Sequence, residues 1–411
     1  MNEIKNYDKI FFERFASGAK LSADEVKSLI AVKSKHTIPT INEIDFSTRH
    51  KVKLGIDPTG SELHLGHLCP LIVLDIFARG GHHVDFIIGD FTSKIGDPSG
   101  RVSDRPAITD EIIAQNFATY TAQVSRYLNI KNWTVTKNSK FLAPMKFSDF
   151  LGIAQNINAA TILQRDDFRT RIAAGGVTLA ELTYGILQGL DSLHIGSTIE
   201  LGGADQLLNL QQGREIQRMH KQKPQAVITN PLLEGLDGSG KKMGKSLNNY
   251  VSLTATLEDK FGLIMSMSDT TILQYFTSLA HVFENEVADL ASAIKQKPLE
   301  MKKQLATYLV AIEARDITAG QNERAKFEQK FAKKELTMDD FKTINTKPDL
   351  HLLDILMSSG EFKSKGELKR LLEEGAIRDL SDNAVIENDF VIMQNEKIKV
   401  GKRKFYNIVV S

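Results

Sequence analysis

Apolar positions along the first 230 residues recur in two alternating rhythms. "KVKLGIDP" (51–58) is a short run rich in apolar positions that ends in a proline turn, and it reads as a strand. "HLGHLCPLIVLDIFARG" (64–80) follows with a broad apolar stripe at helical spacing, closed by Gly80 and Gly81. Strand signals return in "HVDFIIGDF" (83–91), "GSTIELGG" (196–203) and "QAVITNPLL" (225–233). Such alternation predicts an α/β chain with a parallel sheet, whose ligands lie beyond the carboxyl ends of the strands. Residues from about 110 to 180 read as mostly helical, hence as an insertion into that sheet.

Past residue 250 the rhythm changes. Helical periodicity takes over in "EVADLASAIKQK" and "PLEMKKQLATYLVAIEAR", so 251–345 is expected to be a separate α-helical domain, and "NTKPDL" (345–350) a linker. Beyond it, Ser364 and Glu367 form a capping box that opens a helix, which Gly375 ends. Short strands in "FVIMQNEKIKVG" and "FYNIVV" complete a small α+β unit over 349–411.

A chain of 411 residues is long enough for two or three such units. Its 52 basic and 51 acidic residues nearly cancel, so any basic surface must be local. The one cysteine, Cys69, forms neither an internal disulfide nor a thiolate zinc cluster, and beside Leu68, Leu71 and Ile72 it reads as core. No eighteen-residue apolar run occurs, and "MNEIKNYDKIFFERF" lacks a signal-peptide core. A soluble protein of the reducing cytoplasm, with no membrane partner, is expected.

Five stretches carry candidate chemistry. "DGSGKKMGKS" (237–246) ends like a phosphate-cradling P-loop, but the glycine that motif needs five positions before Gly244 is Ser239. The other register puts Lys242 where a hydroxyl is required. In "DPTGSELHLGH" (57–67), His64 and His67 share one face at a helix start, where imidazole donors and free N–H groups suit phosphate. A surface pair or partial metal site fits the bare spacing equally. "IGDPSGRVSDR" (95–105) is either a plain turn or a site where Asp97 meets an ammonium and Arg101 and Arg105 reach polyphosphate. Tyr184, Gln188 and Asp191 stand at i, i+4 and i+7, a polar stripe that faces either the interior or solvent. In "ELGGADQ" (200–206), Gly202 and Gly203 permit either close backbone approach or a positive-φ turn, and Asp205 can take both hydroxyls of a ribose.

Taken in order, these pieces resemble the class I aminoacyl-tRNA synthetases, and within them the bacterial tyrosyl-tRNA synthetases of the variant often termed type 2. His64-Leu65-Gly66-His67 is similar to the family's HIGH signature, and Lys242-Met243-Gly244-Lys245-Ser246 to its KMSKS signature, with Gly244 in place of the usual serine. The Gly-Asp-Pro-Ser-Gly turn, the Tyr-x-x-x-Gln-x-x-Asp helix and the Gly-Gly-x-Asp-Gln turn lie between them. The resemblance spans essentially the whole chain. It implies a Rossmann-like parallel-sheet catalytic domain over 1–230 with a helical dimerisation insertion, a mobile lysine-bearing loop over 231–250 whose Gly238, Gly240 and Gly244 serve flexibility, the helical domain on the anticodon side, and an S4-like RNA-binding domain.

The implied reaction joins L-tyrosine to ATP, which brings Mg²⁺, and then passes the tyrosyl group to the 3′ end of tRNA(Tyr) in a homodimer. Carried over by position, His64, His67, Lys242 and Lys245, helped by Thr59, Arg101 and Arg105, would stabilise the reacting phosphates. Gly55, Asp57, Asp97, Tyr184, Gln188, Asp191 and Gln206 would bind tyrosine, with Asp191 accepting its phenolic hydroxyl. Gly66, Gly203, Asp205, Lys245 and Ser246 would bind ATP, and Lys363, Lys365, Lys369, Arg370, Lys402 and Arg403 would meet tRNA. No protein metal site is implied. Many family members place a tyrosine where this chain has Lys53, which leaves the second partner of the substrate hydroxyl open. A tryptophanyl-tRNA synthetase and a catalytically silent RNA-binding paralogue are the rival readings; Asp191 and the S4-like tail oppose the first, the intact histidines and lysines the second.

Overall fold

The computed structural model describes residues 5–98, 108–163, 166–174, 176–332, 341–362, 364–380, 384–401 and 404–410. Residues 1–325 form one compact unit and 326–411 a second.

The first unit is built on six strands: β1 (His36–Ile38), β2 (Lys51–Ile56), β3 (His83–Ile88), β4 (Thr134–Lys137), β5 (Ile199–Gly203) and β6 (Ala226–Asn230). They lie in the order β1-β6-β5-β2-β3-β4. All neighbours run parallel except β1, which pairs antiparallel with β6 through Thr37 and Ile228. The five parallel strands follow the doubly wound order, with its reversal between β2 and β5, the place where such sheets bind ligands. Both faces of a central parallel strand are covered. Val52 and Leu54 are therefore buried on β2, and so is Lys53 between them, at 0% exposure.

Three expectations about organisation change. The stretch 110–180 is not one insertion, because helix Asp110–Tyr127 is the crossover that leads into β4 and so belongs to the sheet fold. The added helical part begins after β4, and there Phe147, Leu151, Ile172 and Leu179 expose 72%, 48%, 49% and 82% of their surface. Nor are the helices after residue 251 a separate domain. Helix Pro298–Ala314 buries residues on all its faces, so it needs cover on all sides. The N-terminal helix Tyr7–Ala16 supplies part of it, with Phe11 edge-on to Tyr308 at 6.4 Å and tilted against Phe276 at 5.8 Å.

The third change concerns "NTKPDL", which is not a linker. Lys342–Thr346 is β7, parallel to β12 (Lys404–Val410), in a four-stranded sheet ordered β7-β12-β11-β9, with β9 Ile377–Asp379 and β11 Glu396–Val400. β8 (Leu350–His351) pairs with β10 (Val391–Ile392). Helices Leu352–Ser358 and Lys365–Glu373 close the small core over Ile377, Ile398, Tyr406 and Ile408, and Ser364 caps the second helix by accepting from the Glu367 N–H, one half of the capping box its spacing predicts. Among the described residues, no helix is long and apolar enough to cross a membrane.

Candidate active site

β2 delivers the chain into "GIDPTGSELH", and His64 caps helix Leu65–Arg79 in an extended conformation. The backbone N–H of Gly66 donates to His64 Nδ1 at 3.1 Å, and that of His64 donates to His67 Nδ1 at 3.2 Å. With both Nδ1 atoms accepting, each ring carries its proton on Nε2. Burial above all, then the charges of His67, Lys245 and Lys242, pushes His64 down to about 2; burial and Lys245 push His67 down to about 4. Both rings are thus neutral Nε2–H donors, with centroids 3.9 Å apart at a helix N-terminus, a place that favours incoming negative charge.

The lysine loop lies over this helix start. A Cβ on Gly60 would fall 2.9 Å from Lys245 Nζ, and one on Gly66 4.0 Å from Met243 Cβ. The Met243 N–H donates to the Leu233 carbonyl at 2.7 Å and that of Gly235 to Lys241 at 2.9 Å, a narrow hairpin. Gly238 and Gly240 turn it at φ +67° and +71°, so those two serve conformation. Gly244 does not: at φ −166° it is extended, and a Cβ there would meet only the Lys242 carbonyl at 4.0 Å. Buried Asn249 ties the hairpin, accepting from the Gly244 N–H at 2.9 Å and reaching Asp237 at 3.4 Å. No backbone nest before a long helix forms here, so the P-loop likeness ends with the sequence. Ser246 is exposed on the short turn Lys245–Leu247.

Opposite the histidines, β5 ends at Gly202 and Gly203. A Cβ on Gly203 would fall 2.7 Å from Asp205 Oδ1, so the glycine keeps that carboxylate against the backbone. Asp205 Oδ2 accepts from Lys242 Nζ at 3.0 Å, which brings a signature lysine and the expected ribose carboxylate into contact.

Buried polar side chains cluster around β2 and β5. Tyr184 is buried and donates its hydroxyl to Asp57 Oδ2 at 3.0 Å, while Thr92 donates to Asp57 Oδ1 at 2.7 Å. Gln206 and Asn209 donate to the two oxygens of Asp97, Asn209 at 3.3 Å. Burial, then the charges of Asp57 and Asp97, holds the Tyr184 phenol well above its ordinary range. Lys53 Nζ pairs with Glu200 at 2.8 Å and donates to the Gln188 carbonyl at 2.9 Å and Ser192 Oγ at 2.7 Å. Gln188 donates its amide to Glu200 at 3.1 Å and leaves Oε1 buried without a partner. Among the described residues, Asp191, 4% exposed, accepts only a long 3.4 Å contact from Asn138 on Oδ2, and its Oδ1 has no partner. Burial pushes Asp191 up to about 7, against the opposing pull of Lys53. A buried carboxylate with a vacant acceptor is costly unless a ligand donor completes it.

Comparison with known sequences decides what this arrangement belongs to. Residues 47–336 match the family described as tRNA synthetases class I (W and Y). The chain belongs to the class I tRNA synthetases. Curated relatives of this synthetase include the tyrosine–tRNA ligases of Desulfotalea psychrophila, 38% identical over 87% of this chain and 90% of the relative, and Thermotoga maritima, 34% identical over 92% and 96%. In fold it is similar to the Archaeoglobus fulgidus tyrosyl-tRNA synthetase complexed with L-tyrosine, with a TM-score of 0.61 at 19% identity over 74% of this chain and all of that one. A C-terminally truncated Aspergillus nidulans mitochondrial tyrosyl-tRNA synthetase matches at 0.61, over 79% of this chain and all of that one.

The synthetase brings together His64, His67, Gly66, Lys242 and Lys245 at one end of the cleft and Asp57, Asp97, Tyr184, Gln188, Asp191 and Gln206 at the other. Gly55 is exposed at the end of β2, with open space where a Cβ would stand, and Thr59 donates its N–H to the Asp57 carbonyl at 2.8 Å. Arg101, Arg105, Lys363, Lys402 and Arg403 lie outside the described residues. In the C-terminal unit Lys365 pairs with Asp354 at 2.6 Å, while Lys369 and Arg370 are exposed. Sequence reasoning missed Thr92, Asn138, Glu200 and Asn209. One of these carried a signal: Asn209 stands one helical turn after Gln206. Among the described residues, no group of three or more His, Cys, Asp or Glu side chains could hold a metal ion.

Proposed function

We propose that this synthetase is a tyrosine–tRNA ligase, and the observation that carries the reading is the buried Oδ1 of Asp191, unpartnered among the described residues within a cluster of buried polar groups. A phenolic hydroxyl donates to that oxygen. Asp97, Asp57 and the free oxygen of Gln188 supply the negative rim for the substrate ammonium, with Tyr184 and Gln206 fixing the two aspartates. The substrate carboxylate is then the nucleophile: one of its oxygens bonds to the α-phosphorus of ATP, and the bond from that phosphorus to the bridging oxygen breaks to release pyrophosphate.

No protein nucleophile is required, so the chain's contribution is placement and charge. Neutral His64 and His67 donate through Nε2, and Lys242 and Lys245 add positive charge over the same oxygens; Thr59, Arg101 and Arg105 belong to that set. Asp205 and Gly203 take the ribose, Gly66 gives the nucleotide close access to the backbone, and Ser246 follows Lys245 on the loop. Mg²⁺ would enter with ATP as part of that substrate, beside the ammonium and imidazole N–H groups that the described residues present at that end.

For the second step, Lys365, Lys369 and Arg370, with Lys363, Lys402 and Arg403, form the tRNA surface of the S4-like unit. The exposed apolar side chains of Phe147, Leu151 and Leu179 support a homodimer through the added helices. The buried thiol of Cys69 suits a cytoplasmic enzyme. The test is ATP–pyrophosphate exchange by the purified chain with single amino acids. Exchange driven by tyrosine is expected; exchange driven by tryptophan, or by none, overturns the reading.

A further inference from the structure

Directly after the lysine loop, residues 251–253 run antiparallel to residues 63–65. The Leu65 N–H donates to the Val251 carbonyl at 3.1 Å, the Leu253 N–H donates to the Leu63 carbonyl at 2.9 Å, and His64 bridges Ser252. The strand that roots the lysines is therefore laddered to the backbone of a signature histidine. On its other side, the Leu253 carbonyl accepts from two helices. Lys260 Nζ, on Leu257–Met265, reaches it at 3.3 Å, and Arg126, on Asp110–Tyr127, at 3.3 Å. Lys260 has 0% side-chain exposure, pairs with Glu313 on Pro298–Ala314, and donates to the Tyr127 hydroxyl at 2.7 Å. That hydroxyl donates in turn to Glu313 Oε2 at 2.8 Å. Arg126 also pairs with Glu313.

A buried ion pair of this kind gives little net stability, because desolvating two charges offsets their attraction. Its geometry does something more specific: it holds one carbonyl of an irregular segment whose other edge bonds to the histidine strand. We propose that Tyr127, Lys260 and Glu313 are positioning residues for catalysis, fixing Leu253 and through it the register between the lysine loop and His64. The inference rests on the reading that Lys242 and Lys245 act on ATP. The tyrosine pocket hangs from β2, β5 and the helices Leu179–Ile195 and Leu207–Met219, none of which supplies a side chain to the cluster.

The experiment uses the full chain, Tyr127→Phe as the mild variant, and Lys260→Met with Glu313→Leu as an apolar replacement that leaves no buried charge unpaired. Pyrophosphate exchange is measured with ATP and tyrosine varied separately, normalised to active sites counted by tyrosyl-adenylate formation. Both variants are expected to lose about three- to tenfold in kcat/KM for ATP, with the KM for tyrosine unchanged. Equal losses toward both substrates, or unchanged constants per active site beside a lowered thermal midpoint, show a purely structural cluster and overturn the inference. Failure of the wild-type chain to exchange with tyrosine sinks the underlying reading instead, before any variant is compared.

Discussion

Replacing Asp191 by alanine tests the carboxylate on which tyrosine specificity is argued to rest. In the wild-type chain, among the described residues, Oδ1 of Asp191 is buried and unpartnered, and the only hydrogen-bond contact to Oδ2 is the 3.4 Å approach of Asn138. A phenol donating to that charged oxygen is worth about 1.5–3 kcal/mol, so tyrosine is expected to lose about 10- to 150-fold in kcat/KM in Asp191→Ala. Phenylalanine responds in the opposite direction. Bound to the wild type it leaves the carboxylate dry and unpaired, a penalty of about 1–3 kcal/mol that alanine removes. The two effects add in the ratio, and the preference for tyrosine over phenylalanine should collapse by about 10²- to 10⁴-fold.

The assay is pyrophosphate exchange with each amino acid at saturating ATP, for wild type, Asp191→Ala and Asp191→Asn. Asparagine keeps a neutral acceptor in nearly the same shape and should fall between the other two. Folding is not expected to suffer. Burial raises Asp191 to about 7, so its contribution to stability is fully present only below its unfolded value near 4 and is lost as pH rises through 7. At pH 8 the charged side chain is a cost that both substitutions remove. An unchanged tyrosine-to-phenylalanine ratio, or equal losses for both amino acids, refutes the assigned role.

The same titration gives a pH dependence: tyrosine affinity should weaken as pH falls through about 7 and the acceptor is neutralised, a slope that Asp191→Asn flattens in equilibrium binding. ATP affinity should show no imidazole step between pH 5 and 9, because His64 and His67 stay neutral there, and its pH profile at saturating tyrosine checks this. In the lysine loop, a Cβ at Gly235 would fall 2.0 Å from Asn249 Nδ2, so Gly235→Ala should cost about 1–3 kcal/mol in urea unfolding and slow exchange. Gly244→Ser should change stability by no more than about 0.5 kcal/mol, since its backbone is extended and its Cβ position is open. Lys53→Met strands the buried Glu200 charge and should lower unfolding stability by about 3–5 kcal/mol, most of which Lys53→Met with Glu200→Gln restores.

What the sequence made legible were elements defined by local pattern and motifs defined by fixed spacing. Four of the five parallel strands, the helix from Leu65, and both signature motifs fall where periodicity and spacing place them. β4 is not legible because "TVTK" is a short edge strand with polar positions and three of its four residues exposed, so it carries no apolar run. The independence of the helices after 251 was misjudged for a different reason. Periodicity reports which faces are apolar but not what covers them, and here part of the cover comes from residues 7–16, nearly 300 positions away.

Lys53 shows how the same limit acts inside the site. Beside a family tyrosine it looks like a lost hydroxyl. In the fold it is a buried cation whose three donors go to Glu200, Ser192 and the Gln188 carbonyl. That places a positive charge beneath the helix carrying Gln188 and Asp191, and it opposes the burial that would otherwise keep Asp191 protonated. Lys53 therefore does not replace the family tyrosine as a hydroxyl. Its ammonium is saturated by other partners, and it acts on the acceptor through charge, while the Asn138 amide reaches the neighbouring oxygen of Asp191 at 3.4 Å. The sequence could show that a tyrosine was missing; only the pairing of β2 with β5, which sets Lys53 opposite Glu200, shows what the lysine does instead.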